Sequence, residues 1–147
     1  MANSWRVVAE ELATVALTLT WGSFLILDYD PTRLGENCPF VQAAPGPPGW
    51  FAEVVSERFL PAGAWPLDRA WLRGAAWNAP DASTDNWWCD AVAPDRIVDC
   101  LIDALRCARS CLLPDVVRIT TGRFPLPPIG GETLLHPVDA LVPRRAA

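Results

Sequence analysis

The stretch Pro45-Gly46-Pro47-Pro48-Gly49 separates two apolar runs and constrains the fold of this chain more than any other feature. A connection so short and so rich in turn-forming residues sends the chain back beside the segment it has just left. Pro39–Ala44 (PFVQAA) is therefore expected as a strand. Trp50–Arg58 (WFAEVVSER) has the composition of either a helix or a strand, and its place directly after two β-like runs favours a strand. The earlier of those runs is Ser23–Tyr29 (SFLILDY), rich in Phe, Leu and Ile and joined to the next by the turn-rich Asp30–Asn37. Three strands in this order make an antiparallel meander.

Helical spacing frames the meander. Ser4 is placed to cap a first helix, in which Val7, Val8, Leu12, Val15 and Ala16 recur near the helical period while Glu10 and Glu11 take the other face. Trp21-Gly22 should end it, because Gly supplies a turn. Leu67–Ala76 reads as a short helix with Leu67, Trp71 and Leu72 on one side, and Trp87–Val92 (WWCDAV) as a short strand. Asp95–Leu112, just after Pro94, is predicted as a long amphipathic helix with Ile97, Val98, Leu101, Ile102, Leu105, Ala108 and Leu112 on one face, stopped by Pro114. Val116–Thr121 has the composition of a last strand. From Gly122 the chain carries Pro125, Pro127, Pro128, Pro137 and Pro143 and reads as an extended tail. The expected fold class is α+β: a mainly antiparallel sheet with an N-terminal helix, a short middle helix and a long amphipathic helix packed on it. One domain is expected over residues 1–121, with a Pro-rich extended C-terminal tail over 122–147.

Composition narrows the chemistry. At 147 residues and 51% hydrophobic, the chain can fill one core and is not disordered throughout. Its 12 cationic residues are all Arg, so P-loop, Schiff-base and Ser–Lys chemistries are excluded. The single His, His136, rules out zinc sites that need two or three histidines and lies in the Pro-rich tail. A net charge of −5 disfavours a nucleic-acid partner and suits a basic or amphipathic polypeptide. Five cysteines without a CxxC pair make an odd set, unlike a secreted disulfide framework. The first cation, Arg6, is followed by Glu10 and Glu11, which is not the pattern of a secretory leader, and a cytoplasmic protein is expected. Leu12–Leu27 is uncharged but shorter than the ~20 residues that a membrane span needs.

Three features bear on function. Cys100, Cys107 and Cys111 share one stripe of the last predicted helix. One helix cannot wrap three ligands around an ion, so they read as small hydrophobes on a packed face rather than as a thiolate metal or redox cluster. Six of the eight tryptophans fall between Trp50 and Trp88, where they either fill the core or line a groove for an apolar peptide. Trp87 and Trp88 are adjacent in a strand and must point to opposite faces, so one is core and the other meets solvent, a second layer or a partner. Asp28 and Asp30 read as strand-ending turn chemistry, and Glu53 and Glu57 as solvated positions of a half-buried element.

The order PFVQAA, WFAEVVSERFLP, LDRAWLRGAAW, DNWW and a helix ending near ALRCARSCLLPDVVRI resembles the TY-Chap domains of actinobacteria, relatives of the YbjN family and of CesT-like type III secretion chaperones. The likeness is carried by Phe40-Val41-Gln42, the polar stretch Glu53–Arg58, Trp77 and Asn86-Trp87, and extends over Ser4–Ile119. Glu57 stands where the family usually has Asn, and Ala76 where it has Gly before the Trp. The resemblance implies an α+β chaperone-like module that binds peptide segments of partner proteins, often as a homodimer, with no catalytic residues.

The expectation is thus a non-enzymatic peptide- or protein-binding module that takes an apolar or extended segment of a client and uses no cofactor, metal, nucleic acid or membrane. An exposed sheet edge would supply main-chain hydrogen bonds. Phe40, Trp50, Trp87 and Trp88 are the candidate partner-binding anchors from strand placement. A permanent structural or regulatory subunit of a larger complex is the alternative. A carboxylate-dependent hydrolase would need Asp28, Asp30 and another acid to converge.

Overall fold

The computed structural model describes residues 4–32, 38–60 and 63–125. His136 and the Pro-rich stretch from residue 126 lie outside the described residues. In chain order the elements are α1 (Trp5–Thr18), β1 (Ser23–Tyr29), β2 (Phe40–Ala44), β3 (Trp50–Val54), α2 (Arg69–Gly74), β4 (Trp87–Val92), α3 (Ile97–Asp103) and β5 (Val117–Arg123). Ser4 caps α1 as expected, its hydroxyl accepting the Val7 N–H at 3.2 Å. Asp68 does the same for α2 by accepting the Trp71 N–H at 2.9 Å.

The five strands form one antiparallel sheet in the order β4-β3-β2-β1-β5. The first four run as a meander, and β5 returns to the opposite edge beside β1. Alternation along the strands sorts two layers. Leu25, Leu27, Val41, Ala43, Trp50, Ala52, Val54 and Trp87 pack with Val8 and Leu12 of α1 and Leu101 and Ile102 of α3. Phe24, Ile26, Phe40, Ala44 and Val55 form a second cluster on the other face, with Leu60 in the connection after β3. With both faces buried, β1 and β2 read as continuous apolar runs rather than alternating ones.

Two expectations are corrected. The predicted helix over Asp95–Leu112 begins at Ile97, and its last turn, Ala104–Ala108, is wound as a π-helix. It stops there because Arg109 turns inward and Ser110 takes a left-handed φ of 57°. Arg109 is fully buried. Its guanidinium donates to the Val55 carbonyl from Nε at 3.1 Å and Nη2 at 2.6 Å, and from Nη1 to the carbonyls of Trp65 (3.2 Å) and Pro66 (3.3 Å). Burial pulls its pKa down to about 10, which leaves it cationic at neutral pH. The second correction is Glu53, which is not solvated but 0% exposed on the sheet face that no described helix covers, the helix-free face, where it accepts a hydrogen bond from Gln42 Nε2 at 3.3 Å. Glu57 is half-buried and paired with Arg69 at 2.8 Å.

Candidate functional site

A sheet of this kind has two edges, and the sequence treats them differently. At β5, two backbone bonds fix the ladder's alternation: the Asp30 N–H donates to the Val116 carbonyl at 3.3 Å, and the Phe124 N–H to the Gly22 carbonyl at 2.9 Å. Between them the hydrogen-bonded pairs fall at Asp28–Arg118, Ile26–Thr120 and Phe24–Gly122. Val117, Ile119, Thr121 and Arg123 therefore turn their N–H and C=O groups away from β1. Among the described residues no strand lies beyond them.

The same odd-numbered positions raise Val117, Ile119 and Thr121 toward α1. With Glu11, Thr14 and Val15 of that helix they line an open groove of about 620 Å³. Outward main-chain donors and acceptors thus run beside a groove whose lining is small or apolar except for Glu11 and Arg118. Arg118 also lies 3.4 Å from Asp30, whose carboxylate accepts from Thr32 at 3.0 Å and Cys38 at 3.4 Å. Asp30 is engaged in holding β1 to β5 and to the turn after β1.

At the opposite edge, Asn78 exchanges both backbone hydrogen bonds with Trp88, at 2.8 and 3.0 Å. The register of β4 against β3 also shifts between Trp50 and Ala52, and Ala91 takes a φ of 54°. A bulge, a bridging residue and the exposed Asp90 are devices that blunt an edge.

The four expected anchors lie on β2, β3 and β4. Phe40 is buried in the helix-free cluster, and Trp50 and Trp87 are buried under the helices. Trp88 points the other way from Trp87, is half-buried, and stacks on Phe51 with ring centroids 5.9 Å apart. Sequence spacing did not bring β5 forward as an edge, because pairing partners depend on where the last strand returns.

A sequence model of the family TY-Chap3, described as "T3SS (YopN, CesT) and YbjN peptide-binding chaperone 3", matches residues 1–122. The chain belongs to this family. The matched part of this TY-Chap3 domain includes α1 and, save for Arg123, the whole sheet with both edges. No curated protein and no solved structure gives a significant match. No described helix of the TY-Chap3 chain is long and apolar enough to cross a membrane.

Proposed function

We propose that this domain is a non-enzymatic module that binds an extended segment of a client protein as an added strand along β5. The observation that carries the reading is the contrast between the two edges: β4 is bridged and bulged, whereas β5 presents four outward-facing backbone positions beside a groove. Strand addition derives affinity from main-chain hydrogen bonds and selectivity from side-chain pockets. The length of β5 suits a segment of about seven residues, roughly 20 Å at strand rise. Alternate client residues would face Val15, Val117 and Ile119, so small or apolar side chains fit there; Glu11 and Arg118 offset each other at the groove, and the net charge of −5 disfavours an acidic segment. Membership in a family of peptide-binding chaperones supports the same reading. Of the four aromatic anchors, three are buried and the half-buried Trp88 lies on β4 at the opposite edge, so this reading takes none of them as a contact of the β5-bound segment.

The test is selection of binders from a random-peptide display library, followed by amide chemical-shift mapping on the isotope-labelled domain. The reading expects perturbations concentrated at Val117, Ile119, Thr121 and Arg123 and at α1 residues Glu11–Val15. Binders whose perturbations fall on β4 or on the helix-free face would overturn it, as would a selection that enriches nothing.

A further inference from the structure

Cys89 and Cys100 lie far apart in the expected pattern, and the fold brings them together. Cys89 projects from β4 on the helix side, and Cys100 projects from α3 toward it. Both line an open cleft of about 400 Å³ with Asp90, Arg96, Asp99 and Asp103. Both thiols are half-buried at this cleft and near enough to bias each other's ionisation, and Cys89 Sγ lies 3.8 Å from the Ala76 carbonyl oxygen. No other cysteine is placed this way: Cys38 and Cys111 are sealed inside, and Cys107 is exposed on the helix surface.

We infer that Cys89 and Cys100 form a peroxide-reactive dithiol that closes to a disulfide across the β4–α3 cleft. Two half-buried thiols facing one cleft from adjacent elements are the arrangement a disulfide bridge requires. Cys100 is the attacking sulfur. The neighbouring Cys89 thiol and the charge of Arg96 favour its thiolate, against burial and Asp103, while Cys89 is pushed toward the protonated form. The Cys100 thiolate attacks one peroxide oxygen, the O–O bond breaks, and the departing oxygen takes a proton to leave as water or an alcohol. The Cys89 sulfur then gives up its proton and displaces hydroxide from the Cys100 sulfenic acid, forming the S–S bond and releasing water. Two thiols and one hydroperoxide thereby become one disulfide, one alcohol or water, and one water. Three carboxylates against one Arg at the cleft favour a neutral peroxide over anionic oxidants.

The test uses the full chain with Cys107→Ser, treated with hydrogen peroxide and read by intact mass, thiol titration and peptide mapping. The expected result is loss of two hydrogens and of two titratable thiols, with Cys89 and Cys100 recovered as one cross-linked peptide. Adding Cys89→Ser should instead leave a sulfenic acid at Cys100 that a dione probe traps, and this arm does not depend on disulfide geometry. Over-oxidation of Cys100 without the cross-link in the parent protein would overturn the inference. So would a cross-link through other cysteines, or a Cys100 that reacts no faster than free cysteine.

Discussion

The backbones of Asn78 and Trp88 close one edge of the sheet: the Asn78 N–H donates to the Trp88 carbonyl at 2.8 Å, the Trp88 N–H donates back at 3.0 Å, and Asn78 Nδ2 adds a bond to the same carbonyl at 3.2 Å. β5 has no such guard among the described residues. An unguarded edge invites uncontrolled pairing, and the Asn78 bridge removes that hazard at β4. Asn78→Pro removes the bridging donor. Concentration-dependent self-association, followed by sedimentation velocity, is the expected outcome.

The ladder's phase makes a sharp pair of substitutions at β5. Ile119→Pro removes an N–H that points away from β1, so the stability cost should be only the lost packing of its half-buried side chain, about 1–2 kcal/mol, while affinity for a bound peptide falls at least about tenfold. Thr120→Pro removes a donor paired to Ile26 and should cost about 3 kcal/mol. Urea unfolding and titration calorimetry on both variants separate the two effects. Equal binding by wild type and Ile119→Pro would remove β5 as the docking edge.

Trp88→Ala asks whether the aromatic face takes part. Trp88 and Phe51 sit at the far edge of the sheet from β5, so affinity for a β5-bound peptide should stay within about twofold. A larger loss moves the site to the helix-free face.

Arg109→Met keeps much of the side chain's volume but strands the carbonyls of Val55, Trp65 and Pro66. Leaving such buried acceptors unsatisfied should cost about 3 kcal/mol or more, read from the urea midpoint. The π-helical turn that delivers Arg109 should lose hydrogen-exchange protection along with it.

Two interior thiols give the fold an alkaline sensitivity. Burial pushes Cys38 up to about 11, helped by its hydrogen bond to Asp30, and Cys111 up to about 12, from an ordinary value of 9.0. Above pH 9 the unfolded chain releases these protons while the folded one keeps them, so stability is fully present below that point and declines as pH rises toward 11–12. The slope is at most about 1.4 kcal/mol per pH unit for each thiol. Cys111→Ala should flatten the decline measured between pH 9 and pH 10.

Local signals were legible wherever the chain's own chemistry decides. The Ser4 cap, the limits of β1 and β4, the Pro45–Gly49 connection and the opposite faces of Trp87 and Trp88 follow from capping, turn chemistry and the two-residue period. Glu53 and Arg109 were not legible, because a charged residue is buried only when partners from other elements are waiting for it. Gln42 lies across the β2–β3 ladder from Glu53, and the carbonyls that hold Arg109 are more than 40 residues away in sequence.

The sequence by itself determined the alternation of strands and helices, the α+β class and the chemistries that an all-Arg, single-His chain lacks. Tertiary structure alone decided that β5 returns beside β1, which of its amides face outward, and that Cys89 and Cys100 line one cleft. Local structure depends on residues within a turn or two of one another. The open edge, its groove and the thiol pair each need segments distant along the chain to meet, and only burial of the shared core sets that meeting.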